Sequence, residues 1–156
     1  MAESQLTDSD VIQEALNVIN EAFVGLFSTC DASGVPYSRV MGAAPVSEGL
    51  RKLYTLSGKQ TRKLEHLAHQ PEICWLFNSA HYAEVVTLHG QARVLDSPVV
   101  AQPVWDRLAE CAQAYSMNAL SNEDNLEFVV VETTVETIEF ICPRMGIVQP
   151  QTVTLD

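Results

Sequence analysis

The 156-residue chain carries a formal net charge of -11, from 20 acidic residues against nine Lys and Arg, and a field of that sign repels nucleic acid and anionic membrane surfaces. Its 47% apolar content and mixed charge are those of a globular protein, long enough for one domain over residues 1–156 to bury a core without metals or disulfides. No apolar run is long enough to cross a bilayer, and the acidic start "MAESQLTDSD" lacks the basic and apolar segments of a secretory signal, so a cytoplasmic location is expected.

In chain order, "TDSDVIQEALNVINEA" (7–22) predicts a helix. Thr7 and Ser9 are capping candidates, and Val11, Ile12, Ala15, Leu16, Ile19 and Ala22 recur at helical spacing. "FVGLFSTC", the turn "DASG" and "VPYSRVMGAA" then read as a β-hairpin, and "SEGLRK" as a second turn before the strand "LYTLS". A short helix begins near Thr61, shows Leu64, Leu67 and Ala68 on one face, and stops before Pro71. "ICWLFNS" is expected as a mostly buried strand. In "AEVVTLHGQARVLD", Val86, Leu88, Gly90, Ala92 and Val94 alternate with Thr87, His89, Gln91 and Arg93, as on a strand with one dry and one polar face.

Asp96 or Ser97 with Pro98 can open a helical stretch through about Tyr115, with Pro103 dividing it or marking its first turn; "SMNALSNEDN" (116–125) reads as a loop. "LEFVVVETTVETIEFIC" supplies one or two strands, and the tail after Pro143 has no clear period. Strands joined by hairpin-length turns favour an antiparallel sheet, and six or seven of them a closed or partly closed barrel with helices at its ends. The fold class is therefore mainly β (α+β).

Cys30, Cys74, Cys111 and Cys142 are widely spaced and form no C-x-x-C pair, which favours buried reduced thiols over ligands or disulfides. His66 and His69 have no companion ligands at zinc spacing and read as surface histidines; no metal site is expected. Trp75 and Trp105 read as core or interface. Phosphate-loop, dinucleotide and nucleophile-elbow motifs are missing, and no acid, base or nucleophile stands out as catalytic.

Charge is unevenly distributed. Six of the nine cations (Arg39, Arg51, Lys52, Lys59, Arg62, Lys63) fall between Ala32 and Leu64, accompanied by one acid, Glu48. Arg62 and Lys63 occupy the first turn of the short helix in "SGKQTRKLEHL", where a cation opposes the macrodipole by about 0.3–1 kcal/mol. Either both side chains swing into water, or the Thr61 hydroxyl, the free N–H groups and the two cations hold a phosphate. Arg39 interrupts an otherwise uncharged strand, sharing a face with Tyr37 and Met41, and could bring a planar fork to the same anion.

"FVGLFSTCDASGVPYSRVMG", "KLYTLSGKQTRKLEHLAHQPEICWLF" and "VVTLHGQARVLD", found in that order over residues 10–110, resemble the flavin-binding split barrels related to pyridoxamine 5'-phosphate oxidase and to general stress proteins of that group. The resemblance implies a six-stranded antiparallel split β-barrel with flanking helices, a homodimer, and FMN at the subunit interface. It maps Arg39, Val40 and Met41 to phosphate and ring contacts, adds Tyr54 and Thr55, gives Thr61, Arg62 and Lys63 to the phosphate, and makes Thr87 and His89 ring neighbours. It implies an FMN-dependent oxidoreductase of unidentified substrate. The alternatives are a non-catalytic flavin-binding stress or sensor module, or a barrel binding F420 or haem. Val85 stands where the family places a flavin-contacting Gln. After Cys142 the chain offers one Arg, in "PRMGIVQPQTVTLD", so oxidation of pyridoxamine 5'-phosphate itself is not expected.

Overall fold

A computed structural model describes residues 5–45, 48–95, 104, 106–108 and 128–156. Helix α1 (Asp8–Ala22) opens on a capping box in which the Thr7 hydroxyl accepts from the Asp10 N–H (3.1 Å) and the Asp10 carboxylate accepts from the Thr7 N–H (3.2 Å). Of the two capping candidates, Thr7 is the one used, because its extended backbone aims the hydroxyl at the third helical residue. Val11, Ala15, Val18 and Ile19 form the buried stripe of α1.

Strands β1 (Val24–Cys30) and β2 (Pro36–Gly42) form the expected hairpin, with Thr29 opposite Tyr37 and Phe27 opposite Arg39. The Asp31 carboxylate accepts from the Ser33 and Val35 N–H groups, and Gly34 takes φ +84°, a left-handed conformation that suits glycine. The chain continues through β3 (Ala44–Pro45), β4 (Lys52–Gly58), helix α2 (Arg62–His69), β5 (Glu72–Asn78), β6 (Val85–Leu95), β7 (Phe128–Cys142) and β8 (Ile147–Thr154). Every pairing is antiparallel, in the order β2-β1-β5-β6-β7-β4-β3, with β8 on the remaining edge of β7.

Strands β2 and β3 are separated by Ala43 alone, and they lie at opposite ends of that order. Residues 36–45 thus act as one bent strand, pairing β1 with one half and β4 with the other. Counted this way there are seven strands rather than the expected six, and the sheet is split at Ala43 rather than closed. The seventh is β8, in the tail where the sequence shows no period. Only Ile147 and Val153 of that edge strand are buried and Pro150 interrupts it, so its register comes from pairing with β7 instead of from an apolar face.

Alternation along the strands sends Phe27, Trp75, Phe77, Leu88, Ile138 and Phe140 inward, where each is fully buried. Burial of a large apolar side chain contributes roughly 1.5–3 kcal/mol. The Trp75 ring lies 4.6 Å from Phe27 and 5.3 Å from Phe77, and its indole N–H donates to the Thr133 hydroxyl at 3.1 Å, so Trp75 is a core residue. At the β6–β7 bulge after His89, a side chain on Gly90 would collide with the Thr134 carbonyl. The expected alternation holds through Ala92, but Val94 is exposed.

Helical conformation is present at 104 and 106–108, where Val104 and Leu108 cap a second apolar cluster with Phe23, Ala44, Leu56 and Val130. The rest of the predicted helix through Tyr115, the 116–125 loop, Trp105 and Cys111 lie outside the described residues. Cys142 is buried as expected, whereas Cys30 and Cys74 are only half-buried; all three are free thiols. Among the described residues, no helix is long and apolar enough to cross a membrane.

On the outer face of β4–β7–β6, Tyr54, Glu132 and Arg93 are direct cross-strand neighbours. The buried Glu132 carboxylate accepts from the Tyr54 hydroxyl (2.9 Å), Arg93 Nε (2.9 Å) and Lys52 Nζ (3.2 Å). Burial works to raise its pKa, but the three hydrogen bonds and the Lys52 charge outweigh it and hold the carboxyl below its ordinary value. The resulting stability is present above the ordinary Glu pKa and is lost as pH falls through the lowered one. Glu132→Gln is expected to cost about 1–3 kcal/mol at neutral pH. It should also flatten the acid limb of a stability-against-pH curve measured by urea unfolding.

Candidate anion-binding site

The β1–β2 hairpin and α2 meet where β4 ends, and this junction collects Arg39, Arg62 and Lys63, which the sequence spreads over 25 positions. On β2 the inward residues are Tyr37, Arg39 and Met41, while Ser38 and Val40 face outward. Arg39 Nη1 donates to the Thr29 hydroxyl at 2.8 Å and to the Phe27 carbonyl at 3.3 Å. The Arg62 guanidinium lies over the Tyr37 ring, 4.2 Å from its centroid, which holds an otherwise exposed side chain in place.

At the start of α2, Thr61 occupies the N-cap position but its hydroxyl does not cap; it donates to the Gly58 carbonyl (3.2 Å) and lies 3.0 Å from the Ser57 hydroxyl. The N–H groups of Arg62 and Lys63 are left without a side-chain cap. Lys63 Nζ reaches the Ser57 hydroxyl at 3.3 Å. The basic island therefore divides. Lys52 pairs with Glu132, Arg51 donates to the Asp156 carbonyl, and Lys59 sits exposed in a turn. Arg39, Arg62 and Lys63 converge with no acidic partner among the described residues.

The electrostatics of the cluster are unfavourable as it stands. Burial, and then the Arg62 charge, lower the pKa of Arg39; burial, and then the Arg39 charge, lower that of Lys63. Two half-buried cations are held against each other and against a third, an arrangement that a bound dianion would relieve.

The ten candidate residues do not form one group. Arg39, Thr61, Arg62 and Lys63 are brought together, with Met41 beside Arg39 on the inner face. Thr55 is buried and donates to the Gly42 carbonyl at 2.5 Å, bridging the split between β4 and β2. Tyr54 points to the other side of β4, toward Glu132. Val40, Thr87 and His89 face outward, on the side of the sheet away from Arg39; His89 lies 3.6 Å from the Glu139 carboxylate. Val40 and Thr87 share one cross-strand row through Leu26 and Leu76.

His66 corrects the sequence reading. It is 5% exposed, not a surface residue, with Nδ1 2.7 Å from the Thr29 hydroxyl and its ring 5.2 Å from Tyr37; His69 is exposed. The amphipathic spacing of α2 could have indicated this, since His66 follows Lys63 by three and precedes Leu67 on the face turned to the sheet. Ser57 was also missed, although its alternation with Thr55 in "YTLSG" places both on the inner face. Among the described residues, no group of three or more His, Cys, Asp or Glu is arranged to hold a metal ion.

An antiparallel split barrel with a cationic cradle where its first hairpin meets its short helix defines a class of ligand-binding barrels. The family profile of pyridoxamine 5'-phosphate oxidase matches residues 11–142, and the chain belongs to that family. Among solved structures it is similar to a Clostridium acetobutylicum protein related to general stress protein 26, at 18% identity and a TM-score of 0.73 over 97% of this chain and 98% of that one. It is also similar to general stress protein 26 of Bacillus anthracis, at 15% identity and 0.70 over 93% and 98%. A heme binding protein from Mycobacterium smegmatis matches at 20% identity and 0.68, over 92% of this chain and 57% of that one. At these identities the likeness is one of fold. No curated protein matches the sequence.

Because the folded state disfavours its charged form, Lys63 subtracts from stability at neutral pH and ceases to do so once the pH exceeds its unfolded pKa. Lys63→Met keeps the apolar stem and removes the charge. Thermal melts without ligand are expected to show unchanged or higher stability, by up to about 1 kcal/mol at low ionic strength, with the gain shrinking in high salt.

Proposed function

We propose that the chain binds FMN and serves as a flavin-dependent oxidoreductase of unidentified substrate. The observation that carries this reading is the convergence of Arg39, Arg62 and Lys63, without an acidic partner among the described residues, beside the uncapped start of α2. A terminal phosphate dianion suits that set: the Arg39 fork, the Lys63 point charge, the Ser57 and Thr61 hydroxyls and two N–H groups are all within one junction. FMN, once bound, supplies the two-electron chemistry. The protein's part is to anchor the phosphate, orient the ring and control access to it. Family membership supports the choice of flavin.

The absorbance spectrum of the protein mixed with FMN, and its melting temperature with and without the cofactor, test the reading. Perturbed flavin bands and a raised melting temperature are expected. Haem or F420 spectra, or no response to FMN, would overturn it. Arg39→Ala is expected to weaken FMN roughly tenfold to a hundredfold while leaving the weaker binding of riboflavin, which lacks the phosphate, unchanged. Multiple turnover with a reduced nicotinamide separates an oxidoreductase from a module that only holds the cofactor.

A homodimer is part of the same proposal. Val40 and Leu26, direct partners across β2–β1, are 62% and 42% exposed on the outward face, next to the half-buried Leu76 of β5. An apolar row at the open edge of a sheet is suited to a second copy of the chain. Sedimentation at micromolar concentration is expected to give a dimer, and Val40→Asp to shift it toward monomer without loss of β-sheet signal.

A further inference from the structure

Apart from the cations, the junction contains a buried polar chain that phosphate binding does not itself require. Arg39 Nη1, Thr29 Oγ1 and His66 Nδ1 lie in sequence at 2.8 Å and 2.7 Å, and Thr29 is 1% exposed. Arginine has only donors, so the first bond occupies one lone pair of the Thr29 oxygen. The Thr29 hydroxyl has no acceptor other than His66 among the described hydrogen bonds. Its own proton is therefore satisfied when it is donated to Nδ1, which leaves the ring proton on Nε2. His66 is held in turn by its position on the buried face of α2 and by the Tyr37 ring.

We infer that His66 is a positioning residue of the anion site: through the Thr29 hydroxyl it orients the Arg39 guanidinium, tying that fork to the helix that carries Arg62 and Lys63. Three supports converge on the result. The Phe27 carbonyl fixes Arg39 from β1, Thr29 fixes it from the same strand two residues on, and His66 fixes Thr29 from α2. An arginine near two other cations would otherwise swing away from them, and its fork would lose its direction before any anion arrived. The chain makes the relative placement of β2 and α2, rather than charge alone, a determinant of affinity.

The inference rests on the anion-site reading of the previous section, and inorganic phosphate is the probe that keeps the two separable. Calorimetric titration of the unaltered protein with phosphate comes first, and absence of binding overturns the anion-site reading and this inference together. Given binding, His66→Leu and Thr29→Val are each expected to weaken phosphate roughly five- to tenfold, while His66→Asn, which keeps an acceptor near the Nδ1 position, and Thr29→Ser restore most of the loss. The deciding measurement is a cycle with Arg39→Lys, which retains the charge and lacks the fork. In that background His66→Leu should have little further effect. An equal loss in both backgrounds, or full affinity in His66→Leu and Thr29→Val, overturns the inference even if phosphate and FMN bind as proposed. If His66→Leu does not fold, the Thr29 pair and His66→Asn carry the same comparison.

Discussion

The rest of the structure depends on the double duty of residues 36–45. One bent strand pairs with β1 before Ala43 and with β4 after it, so the two ends of the hydrogen-bonded order are joined by a single covalent turn. The sheet has to curl far enough for that join to be made, and the Thr55 hydroxyl secures it by donating to the Gly42 carbonyl across the split. Curling encloses Phe27, Trp75, Phe77 and Phe140, and it brings the inward face of β2 to the end of β4 where α2 begins. Arg39 meets Lys63 because the sheet curls, not because their sequence positions are close.

Two groups of cations result, and they differ in what surrounds them. Lys52 and Arg93 share the Glu132 carboxylate, and Arg144 pairs with Glu84. These pairs neutralise local charge; the first ties β4 and β6 to β7 between them, and the second joins the turn after β7 to the segment before β6. Arg39, Arg62 and Lys63 are instead turned toward one another, held by hydroxyls, a carbonyl and an aromatic face. In a chain with an excess of acidic residues, keeping carboxylates away from three adjacent cations costs stability, and that cost is what supports the proposal of a bound anion.

The opposite side of the same sheet has a different chemistry. Cross-strand rows run outward from β2 to β8, one of them passing through Val40, Leu26, Leu76, Thr87, Glu139 and Thr152. Its β2 end is apolar and its β8 end polar. The cation cluster and the outward row are therefore on two faces of one hairpin, linked by the strict alternation of Arg39 and Val40.

Much of this was legible from residue order. Helical periodicity located α1 and α2; "DASG" located the first turn; an apolar run located β5, and alternation located β6 and the face that Tyr37, Arg39 and Met41 share on β2. These are short-range properties, set by backbone sterics and by which side chains recur at a given period. Grouping Arg39 with Arg62 and Lys63 was already possible because all three are charges out of keeping with their local element. Tertiary structure alone decided the partner of His66, the roles of Thr29 and Ser57, the pairing of Tyr54 with Glu132, and the strand made by the aperiodic tail. Each of those depends on a partner distant in sequence: His66 on Thr29, Tyr54 on Glu132, β8 on β7. A hydroxyl or an imidazole has no periodic signature, and what it does is determined by the donor or acceptor that folding places within about 3 Å of it.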